Sequence, residues 1–531
     1  MHARSTRRRR GPVVAVTVAL ALAISVPASA LGDHGAHPNP SNAYVSLTAA
    51  GAGGQVVPLI NSGDSYHDVV FRGIPDGIGA VPGTGWVDLY VAHEESHVPF
   101  GLAADNVFAD YQDSSVSRVR VNLATKQVID LGVALPPEAG FIRFCSAFMA
   151  GPAEGFSDYT FFVNEESNDI VPLTSGATYG ADPAVAPNRQ AGYSVWLDTA
   201  TGEYRHIARM GRHNHENAVV VPGGWKQLAV LSGDDTFSAP SSQLYLYTAK
   251  DADALKADKG QLWAFQVTAT DEGAVDPFNP QNNANDYLEI GLNESWSGRF
   301  IHVPNDIARG VTAEAPQTAL ENWSNANNVF QFIRVEDLSY DPSDPNTVYF
   351  ADTGASVSES EATGRLVAGG PANRGRIFKM VLNERDPRIV DEFSVLLDAT
   401  TQFLPNPDTL ALTERVNRPD NLEVTATSIM VQEDTTNAKI WRYDRVAESW
   451  SWVARVTHPT APADGESSGI VDVSDWFGAG WWALDVQSHV PVPGTIGPYQ
   501  TWTGTPIPPG GDQFRERLED GQLLLMQIPG S

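Results

Sequence analysis

Six apolar runs in this chain each end in an acidic or polar cluster. They are LYVAHEE (Glu94, Glu95), FFVNEES (Glu165, Glu166), LAVLSGDD (Asp234, Asp235), VYFADTG (Asp352), IMVQEDT (Glu433, Asp434) and WALDVQSH (Asp485, His489). Runs of this length, rich in Val, Tyr, Phe and Trp and bounded by turn residues, predict buried strands. A carboxylate at the end of a buried strand is costly unless it is paired, hydrogen-bonded or bound to metal. Six such ends in one chain call for a radially repeated fold that points them at a common centre, and carboxylates crowded at a centre call for cations.

Each cluster has a polar partner 13 to 20 residues upstream: Asp76, Cys145, Glu216, Glu336, Asp420 and Glu466. Around Glu336 the spacing predicts a strand over Val335 to Asp341, a turn over Pro342 to Asn346 and a returning strand over Thr347 to Ala351. A tight hairpin of this kind brings residues 336 and 352 to the same end. Six such hairpins around an axis make an all-β, six-bladed β-propeller with its polar ends on one mouth. Residues 31–531 are expected to form that single domain, with an irregular insertion, about 270–328, over one face.

Residues 1–30 read as an export signal: a basic stretch at Arg7 to Arg10, an apolar run from Val13 to Val26, and the cleavage signature Ala28-Ser29-Ala30. A run of about 14 residues is short for a bilayer crossing. The expected location is extracellular or periplasmic, by the Sec or the twin-arginine route, with no stable membrane insertion. The net charge of −29 repels phosphate backbones and argues against a nucleic-acid partner. One cysteine, Cys145, excludes an intramolecular disulfide. It is either an inert core thiol or a metal ligand.

Asp and Glu are hard oxygen donors, suited to calcium, magnesium, manganese or ferric iron. The candidate metal ligands are Glu94, Cys145, Glu165, Glu216, Asp234, Glu336 and Glu466. Cys145 adds a soft donor, and mixed ligation suggests a multinuclear cluster. His93, His213, His215 and His489 adjoin these acids and suit orientation of carboxylates better than direct ligation. Arg334 has two readings, meeting a substrate oxyanion or neutralising the carboxylates. Asn421 likewise either donates to the same anion or caps a turn.

Taken in order, these segments resemble the PhoX-type alkaline phosphatases, secreted propellers carrying an iron–calcium cluster. Gly73-Ile74-Pro75-Asp76-Gly77-Ile78-Gly79 is similar to the family's opening motif, and His93-Glu94 to its Asn-His-Glu. Phe144-Cys145-Ser146 and Asn164-Glu165-Glu166 resemble its cysteine motif and Cys-Glu-Glu. Further on, Gly211-Arg212-His213-Asn214-His215-Glu216, Ser232-Gly233-Asp234-Asp235 and Arg334-Val335-Glu336-Asp337 resemble Gly-Arg-Phe-x-His-Glu, Gly-Asp-Asp and Arg-Pro-Glu-Asp. Asn373 to Ile377, Glu466-Ser467-Ser468-Gly469 and Gln487-Ser488-His489 continue the series. Ala92, Asn164, Val335 and Ser488 depart from the pattern and mark a divergent member.

The resemblance implies calcium and iron as cofactors and a small-molecule phosphate ester as substrate. The expected activity is that of an exported, metal-dependent phosphoric monoester hydrolase, a metal-held oxygen attacking phosphorus at the propeller mouth, with Arg334 and Asn421 as catalytic candidates. Phosphodiesters, phosphotriesters and phytate stay open as substrates, and a monomer is expected. Two alternatives are a calcium-binding propeller without catalysis and a calcium-dependent lactonase or esterase.

Overall fold

A computed structural model describes residues 39–95, 114–167, 170–172, 188–236, 242–276, 284–312, 315–401, 415–458, 465–491 and 519–531. The expected export signal lies outside them. Residues Ala36–Ser531 make one compact unit, and the described part is mostly β. No helix among the described residues is long and apolar enough to cross a membrane.

The sheets are antiparallel meanders, each with an inner strand followed by its hairpin partner. The inner strands are Pro75–Pro82, Phe144–Ala150, His215–Val220, Val335–Asp341, Pro419–Val424 and Glu466–Asp472. Each packs on the next, and the last returns to pack on the first. Their partners, such as Trp86–His93 and Leu228–Asp234, are buried along nearly their whole length. That double-faced burial is why they read as continuous apolar runs rather than alternating ones. Side chains between adjacent sheets fill the core. One cluster stacks Phe265, Phe330, Phe332, Phe350, Phe378 and Phe393, with the Phe378 and Phe393 ring centroids 5.3 Å apart.

Two N-terminal strands complete sheets made late in the chain. Val45–Leu47 pairs with Ser449–Val456, and Gln55–Asn61 pairs with Glu519–Gln527. Leu523, Leu524, Leu525 and Met526 of that last strand are fully buried, so the two ends of the described fold are held by shared core as well as by ladder bonds.

The stretch 270–328 is more regular than its composition suggests. It holds the strand Ser295–His302, which pairs on both sides and joins two meanders into one ten-stranded sheet. It also holds the helix Pro316–Ala326, with Pro at its first turn. The strand alternates in burial, with Trp296, Gly298 and Phe300 inward, a period-2 signal diluted in the sequence by Ser, Gly and Arg. Trp296 is a core residue and Trp323 packs against the core, so both anchor the insertion.

Inner strands approach closely at glycine. A Cβ on Gly77 would fall 2.2 Å from the backbone nitrogen of Ala147 on the neighbouring inner strand. Gly77→Ala therefore forces two strands apart, and the expected cost is about 1–3 kcal/mol, read as a lower urea midpoint at unchanged slope.

Candidate metal centre

The inner strands carry the chemistry at their starts. Asp76, Cys145, Glu216, Glu336 and Asp420 stand second in their strands and Glu466 first. Just there the ladder slips. Pro75 faces His93 while Ile78 faces Val91, so three steps on the inner strand match two on its partner. The same offset recurs between Phe144 and Ala147, His215 and Ala218, Val335 and Leu338, Pro419 and Leu422, and Ser468 and Val471. One extra residue per pair is a β-bulge, which bends the strand and re-aims side chains. In the first five pairs the bulge lies on the acid or thiol and the residue after it.

Entry to these strands is strained. Ile74, Arg143 and Arg418 take φ of 46°, 47° and 55° immediately before their inner strands. A β-branched residue such as Ile74 is rarely left-handed, and strain of this kind collects where a site demands it.

The bulged residues converge. Asp76, Glu94 and Cys145 form one group, Cys145, Glu166 and Glu216 a second, and Glu216, Glu336 and Asp420 a third, each with its ligand atoms within 4.8 Å of one another. Cys145 and Glu216 each belong to two groups, so the three run together. The Cys145 thiol lies 3.1 Å from Asp76 Oδ2 and 3.4 Å from Glu216 Oε1. Glu216 Oε2 is buried with no hydrogen-bond donor among the described residues.

Protonation follows from this crowding. Burial first, then Glu336 and Asp76, push the Glu216 carboxyl well above its usual range. Burial, then Glu216 and Glu94, do the same for Glu166, and burial, then Asp235, for Glu336. Asp76 is raised to about 6 by burial, offset by hydrogen bonds from Ser468, Cys145 and Gln487. Burial and then Asp76 and Glu216 raise the Cys145 thiol. Burial and mutual repulsion thus favour the protonated forms of Glu166, Glu216, Glu336 and the Cys145 thiol, a preference that nearby positive charge reverses. An oxygen-rich donor set with one sulfur and a donorless buried oxygen fits hard cations together with one softer metal.

Arg334 stands at the rim. Asp235 accepts from its Nε and Nη2 at 2.7 Å each, which fixes the guanidinium plane. Its Nη2 is 3.2 Å from Glu336 Oε1 and its Nη1 3.3 Å from Asp434 Oδ2, with 15% of the side chain exposed. Both roles expected for Arg334 are compatible with that position.

Asn421 is placed differently from either expectation. It neither caps a turn nor faces an open anion site. Buried in the strand Pro419–Val424, it donates to Ser146 Oγ at 2.8 Å. Ser468 Oγ lies 2.8 Å from Asn421 Oδ1 and 2.6 Å from Asp76 Oδ1, one hydroxyl hydrogen serving two acceptors. Asn421 thus ties the floor beneath the carboxylates, where Gln487 also donates to Asp76 at 2.9 Å.

Two expected ligands face the sheet wall. Glu165 accepts the backbone N–H groups of Ile142 and Tyr193, each at 3.0 Å, and its neighbour Glu166 is the one beside Cys145. Asp234 accepts from Thr236 Oγ1 at 2.5 Å, while Asp235 holds Arg334. Glu165 and Asp234 are the last paired residues of their strands, and alternation sends the following residue to the opposite side. Glu94, Glu166, Asp235 and Asp434 all take that next position. Glu466 meets Asp434 at the rim.

His93 and His215 are held by backbone carbonyls and serines. His93 bonds the Gly73 carbonyl and Ser117 Oγ, and His215 bonds Ser232 Oγ and the Gly211 carbonyl. Burial lowers both to about 3, so they are neutral. His213 stacks on His215 with ring centroids 3.6 Å apart. The His489 side chain lies outside the described residues.

A cavity of about 780 Å³ opens beside the rim, lined by Asp434 and Glu466 together with Arg418, Lys439, Arg455 and Trp452. A second, of about 400 Å³, lies along the inner strands and includes Asp337, Glu423 and Asp472. Burial, then Asp472, raises Glu423 from 4.5 to about 8. A carboxyl with a raised folded-state pKa binds its proton more tightly folded than unfolded. Its contribution is therefore present below pH 4.5 and is lost as pH rises through about 8, at up to about 1.4 kcal/mol per pH unit. Glu423→Gln should flatten the fall in unfolding free energy across that window.

The sequence model of a family described as alkaline phosphatase PhoX matches residues 154–448. The comparison with curated proteins returned no match. Among solved structures, Pseudomonas fluorescens PhoX in complex with vanadate, a transition state analogue, is 14% identical, with 93% of this chain and 97% of that chain covered at a TM-score of 0.59. Penicillium chrysogenum α-L-arabinanase complexed with arabinobiose is 8% identical, covering 89% and 99% of the two chains at a TM-score of 0.40. The β-propeller domain of the Trilobed protease from Pyrococcus furiosus is 6% identical, covering 79% and 91% at 0.30.

Proposed function

The chain belongs to the PhoX alkaline phosphatase family, and from that premise we propose that it is a metal-dependent phosphoric monoester hydrolase acting at the mouth of a six-bladed propeller. The observation that carries the reading is the convergence of Asp76, Glu94, Cys145, Glu166, Glu216, Glu336 and Asp420 into overlapping groups. These residues would hold calcium and iron, with Cys145 as the soft donor. Cations bound there would polarise a phosphoryl oxygen and neutralise charge that builds on it.

The chain's own residues supply the rest. Arg334, its plane set by Asp235, presents its Nη1 edge toward Asp434. A phosphoryl oxygen displacing Asp434 from that edge would meet a preorganised donor as negative charge develops. Asn421 is a positioning residue: with Ser146 and Ser468 it fixes the height of Asp76 and Glu216. The cavity lined by Arg418, Lys439 and Arg455, with Glu433, Asp434 and Glu466 among them, would take the leaving group. Export to the periplasm or beyond, by either route, and a monomeric state complete the proposal.

The test is p-nitrophenyl phosphate hydrolysis by the full chain. Turnover that is lost on chelation, restored by calcium with iron, and inhibited by vanadate supports the reading. Chelator-resistant turnover, or hydrolysis of carboxylic esters and lactones with phosphate esters untouched, overturns it.

A further inference from the structure

A second group of acids lies apart from the central cluster and shares no residue with it. Asp286, Glu289 and Glu359 each bring one carboxylate oxygen within 4.8 Å of the other two. Asp286 is fully buried. Its Oδ1 accepts the Leu288 N–H at 2.8 Å, whereas its Oδ2 has no hydrogen-bond donor among the described residues. A buried carboxylate oxygen left without a donor beside two more carboxylates is the environment a cation satisfies.

The scaffold holds these acids in place. The Tyr287 N–H donates to the Gln331 carbonyl, and the Gln331 N–H to the Asn285 carbonyl, both at 2.8 Å. Gln331 Oε1 in turn accepts the Leu366 N–H at 2.9 Å, and Leu366 is the ladder partner of Glu359. One glutamine thus fixes both the segment bearing Asp286 and the hairpin bearing Glu359. Arg365, which attracts Asp286, instead donates to Asn325, Asn328 and the Val329 carbonyl. Burial, then Asp286 and Glu359, raise Glu289 to about 7, as expected where like charges meet.

We infer that Asp286, Glu289 and Glu359 form a separate binding site for a calcium-type divalent cation, which clamps the insertion to the hairpin Ser356–Glu359 and Leu366–Ala372. The donors are oxygen only, which suits calcium rather than a thiophilic or imidazole-seeking metal. The exposed side of Glu359 leaves room for the waters that complete calcium's six to eight ligands.

Equilibrium dialysis of the full chain against calcium chloride tests this without relying on turnover. The parent should bind one equivalent more than Glu359→Gln, Glu289→Gln or Asp286→Asn, and the variants should keep the parent's p-nitrophenyl phosphate hydrolysis. Calcium should also raise the thermal midpoint less in Glu359→Gln than in the parent. Glu359 is exposed, so its variant decides the matter even where Asp286→Asn fails to fold. Equal calcium stoichiometry in the parent and Glu359→Gln would overturn the site and assign the three acids to a proton-sharing cluster.

Discussion

Glu216→Gln is expected to lower kcat/KM for p-nitrophenyl phosphate by more than about 100-fold. Residues one layer behind a metal ligand typically cost 10- to 100-fold when changed, and Glu216 is placed closer than that. It shares one group with Cys145 and Glu166 and another with Glu336 and Asp420, so one amide weakens both. The stability effect should run the other way in the metal-free chain. Burial, Glu336 and Asp76 all oppose the Glu216 charge, and Gln removes that opposition while keeping the shape. Chelated Glu216→Gln should therefore unfold no earlier than chelated parent, while the metal-loaded variant loses metal and turnover together. A purely structural glutamate would lower stability in both states and spare metal content.

Arg334→Gln is expected to lower kcat/KM by about 10²–10³-fold, the scale of losing one preorganised donor to a developing oxyanion, and to weaken vanadate inhibition. The same change strips compensation from Asp235, Glu336 and Asp434, and breaking a buried charge pair costs about 3–5 kcal/mol. The double variant Arg334→Gln with Asp235→Asn separates these effects. Stability should recover and turnover should not. If turnover recovers with stability, Arg334 serves only to neutralise the carboxylates.

Much of this arrangement was legible in the sequence. The hairpin expected over Val335 to Ala351 is present as the strands Val335–Asp341 and Asp344–Asp352, with Val335 opposite Asp352.

 The strand starts at Asp76, Cys145, Glu216, Glu336, Asp420 and Glu466 also follow from the spacing, because a hairpin returns its second strand to the end where the first began. What the sequence concealed was phase. Glu165-Glu166 and Asp234-Asp235 are doublets, and a one-residue shift in where the strand ends moves a side chain from the mouth to the wall. The bulges hid the rest: no residue type in Asp420-Asn421 or Cys145-Ser146 announces an extra residue in the ladder. Asn421 was therefore readable as a polar residue near the acids, but not as the tie between Ser146 and Ser468. Asp76 and Asp420 belong with the cluster because the bulges re-aim them, whereas the sequence marks them only as upstream partners of strand-end acids.

The most direct measurement is elemental analysis of natively exported protein, with p-nitrophenyl phosphate hydrolysis assayed on the same sample. Iron together with calcium, and turnover that falls in proportion as the metals are removed, is the predicted result. Calcium alone with no turnover of any phosphate ester would contradict a phosphatase centre built on Cys145 and the converging carboxylates.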